Sequence, residues 1–206
     1  MISMSNNDTN AKLRIIKVAN KLFAAKGFKG TSVREIAAKA KINVSMINYY
    51  FQSKDNLLHI ILEERTLLFF QKTSVVLDSD LPFFELIREL TYSVYDMRLE
   101  YPDFTFLLLT EMVETSQNLN EKSKIREANP MRVKLEKLLE QEKAKGTIHP
   151  ISIFSFMLSF FSFVDYPFLA APIARRYQNL SKDEYTKLLH EHREHVADSI
   201  IRMIKK

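Results

Sequence analysis

The chain has no cysteine, no tryptophan, only three glycines, and no proline before Pro82. Without cysteine there is no disulfide framework, no thiolate nucleophile and no sulfur-ligated metal, a pattern suited to a reducing cytoplasm. Three glycines leave few sites for tight hairpins, and the apolar residues recur at helical spacing, so the fold class is all-α with about nine helices. No Ser/His/Asp spacing, Gly-rich phosphate loop or carboxylate pair is present, so nothing argues for catalysis or for a cofactor. The opening MISMSNNDTN lacks the basic-then-apolar order of a signal peptide. The longest apolar run, ISIFSFMLSFFSFV over 151–164, is interrupted by Asp165 and Pro167. A membrane span needs ~20 apolar residues, so no membrane partner is expected.

What is present is a globular composition, 46% hydrophobic and 27% charged. The net charge of +5 is uneven: residues 1–60 hold ten Lys/Arg against three Asp/Glu, and residues 61–206 hold twenty against twenty-two. A basic N-terminal quarter on a slightly acidic body fits a polyanion-binding head. A solvated lysine face is the alternative reading of the charge alone.

The basic quarter contains Thr31–Leu57, which reads as two short helices, a tight corner and the start of a longer helix. Ser32 and Glu35 have the spacing of a capping box, and Ile36, Ala37 and Ala40 share one face. Asn43 is a good N-cap for a second helix, with Ile47 and Phe51 inward. Val44, Ser45, Asn48 and Tyr49 then face outward, with Met46 and Tyr50 on the flanks. Short side chains at such an N-terminus suit base edges, and the amide and phenols beyond suit phosphate oxygens. Ser53 caps the next helix and puts Lys54 in its first turn, where the helix dipole and the ammonium both favour phosphate. A plain helical hairpin with core aromatics is the competing interpretation.

Residues 12–57 also resemble the N-terminal domain of TetR/AcrR-type transcriptional regulators. The likeness rests on FAAKGF over 23–28, TSVREIA over 31–37, INVSMINYYF over 42–51, and Ser53, Lys54 and Leu57, all spaced without a gap. The resemblance implies base contacts from Val44, Ser45 and Met46, joined by Arg34, and phosphate contacts from Thr31, Ser32, Tyr49, Tyr50 and Lys54. Asn48 stands where the family usually has Tyr, and Met46 where a small hydroxyl residue is frequent. Both departures bear on the target sequence rather than on the fold.

Beyond a disordered lead over 1–10, the expected helices cover about 10–26, the two helices of the motif, 53–77, 82–100, 102–118, 121–145 with a bend at Pro130, 150–165 with a resumption beyond Pro167 toward Tyr177, and 181 to the end. Pro82, Pro102 and Pro150 are each placed in a first helical turn, where the missing amide costs least. Residues 1–55 form the expected DNA-binding unit, and 56–206 a ligand-binding and dimerisation unit.

The helix over 151–164 is apolar nearly all round and is expected to be buried on most sides. Ser155, Ser159 and Ser162 continue a small-residue stripe begun at Ser152; internal packing and a subunit interface both fit it, and the resemblance implies a homodimer. Tyr92, Tyr95, Phe104, Leu108, Glu111, Met112 and Asp165 are the candidate lining of a pocket for a small hydrophobic effector, with core packing as the default for each aromatic. Asp165, an acid among aromatics, must be paired, exposed or facing a wet cavity. The histidines at 190, 192 and 195 miss the zinc-protease spacing, because residue 194 is Glu where that pattern needs His. A ligand face shared by His192 and His195 stays as the alternative, and an exposed or interfacial helix surface with no metal is the expectation. The combined reading is a cytoplasmic, dimeric repressor released from near-palindromic operator DNA by an effector that shifts the long fourth helix. A ligand-independent architectural DNA binder, an activator with the same head, and a carrier or enzyme using the body alone are the alternatives.

Overall fold

The computed structural model describes residues 6–115 and 130–206, with side chains placed over 10–109 and 131–206. Ten helices occur among the described residues: α1 (Asn6–Lys26), α2 (Val33–Ala40), α3 (Val44–Phe51), α4 (Lys54–Leu77), α5 (Phe83–Glu100), α6 (Phe104–Thr115), α7 (Pro130–Lys145), α8 (Ile153–Leu169), α9 (Ala171–Gln178) and α10 (Lys182–Ile204). The only β pairing among them is an isolated bridge between Ile148 and Lys205.

The first three helices close on one apolar cluster. Ile15, Ala19 and Phe23 of α1 meet Ile36 and Ala37 of α2, Ile47 and Phe51 of α3, and Leu57, Leu58 and Ile61 of α4. Gly27 ends α1 with φ +72°, the left-handed conformation that favours glycine. Lys41 ends α2 in the same region, at φ 55°, its amide donating to Ala37 and Ala38.

In the body, α5 is central. Leu86, Ile87, Leu90, Val94 and Tyr95 are buried against α4, α8 and α10. Tyr95 donates its hydroxyl to the Leu189 carbonyl at 3.1 Å and packs on Phe168, with ring centroids 5.1 Å apart. Burial pushes the Tyr95 phenol well above its ordinary range. The outer edge of α5 is laced to α10 by Arg88 with Asp198 at 2.7 Å and by Arg193 with Asp96 at 2.7 Å.

Several boundaries differ from the sequence expectation. α1 begins at Asn6, so residues 6–10 are helical rather than a disordered lead. Pro82 is an N-cap, while Pro102 and Pro150 precede their helices altogether, and the first turn of α8 is capped by Ser152 instead. The expected helix over 150–165 runs through Pro167 to Leu169, then bends by 56° into α9. Pro167 withholds only one amide, and its carbonyl takes the Tyr185 hydroxyl at 2.7 Å. Residues 116–118 and 121–129 of two expected helices lie outside the described residues.

The largest correction concerns α8. Phe156, Phe160, Val164 and Phe168 are buried, but Phe154 is 74% exposed, Leu158 61% and Tyr166 68%. One face is core and the other is an apolar surface that a single chain leaves uncovered. No single helix among the described residues is long and apolar enough to cross a membrane.

Asp165, on the inner side of α8, accepts from Arg98 Nε of α5 at 2.6 Å and from the Thr105 hydroxyl of α6 at 2.9 Å. Of the three situations the sequence allowed, it is paired. Asp165→Ala leaves the Arg98 charge buried without a counter-charge and is expected to cost about 3–5 kcal/mol. Urea unfolding measures this, and a loss below about 1 kcal/mol would show that the pair is not holding α5 to α8.

Candidate nucleic-acid interface

Two N-caps set the corner between α2 and α3. The Ser32 hydroxyl accepts the Glu35 amide at 3.1 Å, and the Asn43 side chain accepts the Ser45 amide at 3.0 Å. Glu35 does not complete the capping box expected from the sequence. Its carboxylate takes the Lys26 ammonium at 2.6 Å, which holds its pKa below the ordinary carboxylate value. An ion pair to a neighbouring helix has displaced the local hydrogen bond.

With Ile47 and Phe51 fully buried, the opposite side of α3 is left open. Ser45, Asn48 and Tyr49 are exposed; Val44, Met46 and Tyr50 are half-buried on the flanks. Tyr49 is 78% exposed and packs edge-on against Tyr50, with centroids 5.1 Å apart, so a large phenol is held upright at the surface. Arg34 and Ser32 are exposed at the start of α2. Having accepted the Glu35 amide, the Ser32 hydroxyl keeps its own proton for an outside acceptor.

Two expected phosphate contacts are more involved in the fold than the sequence suggested. Thr31 is 2% exposed, and its hydroxyl donates to the Gly27 carbonyl at 2.9 Å. Its amide is taken by the Phe28 carbonyl, so neither group reaches a phosphate, and the assignment of Thr31 as a contact is corrected. Lys54 donates to the carbonyls of Phe28 at 2.9 Å and Thr31 at 3.0 Å, and lies 4.0 Å from the centre of the Phe28 ring. Its ammonium fastens the start of α4 to the α1–α2 loop and keeps one N–H for an outside acceptor.

The expected pocket residues with described side chains do not come together at one site. Tyr95 and Phe104 are core, and Tyr92 lies under the Arg193 guanidinium at 3.7 Å. Leu108 is half-buried, and the side chains of Glu111 and Met112 lie outside the described residues. Of the expected residues with described side chains, Asp165 alone lines an open groove of about 740 Å³ between α6 and α8, with Thr105, Leu109, Phe161, Tyr166 and Leu169. Ser159 and Ser162, expected at the dimer interface, line the same groove, while Ser155 is exposed one turn earlier. His192 and His195 stack with centroids 5.3 Å apart, but no third His, Cys, Asp or Glu among the described residues joins them in a metal-binding arrangement.

Sequence reasoning missed Arg98 and Arg65. Each interrupts an apolar stripe at four-residue spacing, Arg98 after Leu90 and Val94, Arg65 between Ile61 and Phe69. A charge on a buried stripe requires a partner, and that signal was legible.

Comparison with known proteins gives two family models. One, described as bacterial regulatory proteins of the tetR family, matches residues 15–61, and a tetracyclin repressor-like C-terminal domain matches 84–200. The HTH-type transcriptional repressor NicS of Pseudomonas putida is 32% identical over 134 residues, which are 64% of this chain and 63% of NicS. YttP of Bacillus subtilis is 49% identical over 55 residues, 27% of each chain. The chain therefore spans less than two thirds of the length of these relatives. Among solved structures, a TetR family transcription regulator from Marinobacter aquaeolei superimposes with a TM-score of 0.66 at 17% identity, covering 98% of this chain and 100% of that one. HI0893 from Haemophilus influenzae superimposes at 0.60 and 20% identity, covering 98% and 100%. At these identities the structural likeness speaks for the fold.

Thr31→Val is expected to lower stability by about 1 kcal/mol while leaving the salt dependence of DNA binding unchanged. Lys54→Ala should cost about 1–3 kcal/mol and also make the slope of log affinity against log salt shallower by about 1. Urea unfolding and salt titrations separate the two roles. A Lys54 variant with a wild-type slope would confine that residue to fastening α4.

Proposed function

Since this chain belongs to the TetR family of bacterial regulatory proteins, we propose that it is a sequence-specific, DNA-binding transcriptional repressor that works as a homodimer. The observation that carries this reading is the outer face of α3: Ser45, Asn48 and Tyr49 are exposed while Ile47 and Phe51 hold the helix down. Val44, Ser45 and Met46, with Arg34, read bases. Ser32, Asn48, Tyr49, Tyr50 and Lys54 hold phosphates and set the register. Residues 1–55 are the DNA-binding unit, and 56–206 carry ligand binding and dimerisation.

The homodimer reading rests on the uncovered face of α8 and on its continuation through Ile173 and Tyr177 of α9, which are 62% and 87% exposed. Apolar surface of this kind, contiguous along a helix, marks an interaction site. A two-fold dimer presents two identical heads, so the operator is a near-palindrome.

The effector binds in the α6–α8 groove. Because Arg98 offsets the Asp165 charge, the ligand is a neutral, hydrophobic small molecule rather than a cation. It weakens DNA binding by the difference between its affinities for the two states, about 5–150-fold, and DNA weakens its binding equally.

Binding-site selection from random DNA by the purified protein tests the head. One inverted-repeat motif is expected, and Ser45→Arg should change it, shifting discrimination by about 1–3 kcal/mol per affected base pair. Recovery of unrelated sequences would favour an architectural DNA binder. Phe154→Asp and Ser155→Phe are expected to shift the protein toward monomer in light scattering. An unchanged dimer in both would place the interface elsewhere.

A further inference from the structure

Arg65 of α4 is a charged side chain only 6% exposed, and its guanidinium touches three residues in two separate parts of the chain. Nη2 donates to Asn20 Oδ1 of α1 at 2.6 Å. Nη1 faces Asp103 Oδ2, just before α6, at 3.5 Å, and the guanidinium carbon lies 4.7 Å from the centre of the Tyr101 ring. The Nε proton is buried without an acceptor. The hold is short on the α1 side and long on the α6 side, at the limit of a hydrogen bond.

The segment Tyr101–Asp103 links the end of α5, where the Tyr101 amide donates to the Met97 carbonyl at 2.9 Å, to the start of α6. Its carbonyls accept the first amides of that helix, Phe104 N on Tyr101 at 3.0 Å and Leu107 N on Asp103 at 2.9 Å. Two residues further on, Thr105 holds Asp165 at the groove. A continuous set of contacts therefore runs from the groove to α1, and its narrowest part is one guanidinium.

We propose that Arg65 is a positioning residue: it sets where the N-terminal head sits on the body, and through Asp103 and Tyr101 it reports the position of α6 to that head. The regulatory part of the proposal rests on the DNA-binding reading above, and the positional part does not. The spare Nε gives the junction room to tighten. Nε and Nη2 share one edge of the guanidinium, so a carboxylate at position 20 in place of the amide would take both protons. Asn20→Asp should tighten the hold. Asn20→Ala and Asp103→Asn should loosen it from either side, and Arg65→Lys should abolish the planar three-way contact while keeping the charge.

The chain has no cysteine, so paired spin labels at Lys17→Cys on α1 and Lys187→Cys on α10, both exposed, are unique. Labelled protein diluted in excess unlabelled chain reports a head-to-body distance within one protomer. The distribution should broaden in Asn20→Ala, Asp103→Asn and Arg65→Lys and narrow in Asn20→Asp. Affinity for the selected operator should fall at least about fivefold in the loosened variants. If Arg65→Lys does not fold, the Asn20 and Asp103 variants carry the test, since both residues are at the edge of the junction. Unchanged distance distributions in folded Asn20→Ala and Asp103→Asn would overturn the proposal, and altered distributions with unaltered operator affinity would overturn its regulatory part. A wild-type protein that selects no operator, while its distances respond as described, would sink the DNA-binding reading and leave the positional role of Arg65 standing.

Discussion

A buried guanidinium must find acceptors wherever the chain can supply them, and in this protein that requirement decides which helices meet. Arg98 brings α5 to α8 through Asp165, and Thr105 adds α6 to the same carboxylate. Arg65 does the equivalent work between α4, α1 and the entry to α6. Apolar packing alone tolerates sliding of one helix on another, because dispersion contacts have little directional preference. A carboxylate or amide oxygen within hydrogen-bond distance of a planar fork does not tolerate it. The Phe- and Leu-rich cores supply most of the stabilisation, and these few polar contacts fix the register in which the cores close.

The helix pair of the head was legible because each local signal has a local cause. Asn43 caps its own helix, Ser53 caps the next, and Gly27 takes the left-handed conformation that ends α1. The faces of α3 followed from Ile47 and Phe51 alone. What the sequence hid was competition from outside the local segment. Glu35 has the spacing of a capping box, but Lys26 lies close enough to take its carboxylate. Thr31 and Lys54 carry groups that suit phosphate, yet carbonyls of the α1–α2 loop are nearer. Periodicity could not show that the apolar residues of α8 divide between a core and an open face. Both halves are equally hydrophobic, and only the placement of α5 and α10 separates them.

Body and head are joined by one uninterrupted helix. α4 is fastened at its first residue by the Lys54 ammonium and halfway along by Arg65. Between these points Leu57, Leu58, Ile61 and Leu62 are buried, so there is no flexible linker across which a displacement would be lost. A rigid connection of this kind turns a small shift near α6 into a change in the direction of the head. The α6–α8 groove lies at the other end of the same contacts, beside the uncovered face of α8.

The division of labour on α3 has a consequence for how such a chain diversifies. Only Ile47 and Phe51 of that helix are fully buried in the core of the head, with Val44 and Tyr50 packed at its edge. Ser45, Asn48 and Tyr49 contribute no core, and exposed substitutions away from caps and networks usually change stability little. Duplicated copies of the gene can therefore drift apart at these positions without a compensating change elsewhere. New binding preferences become reachable in single steps, while the body and its internal contacts are inherited intact.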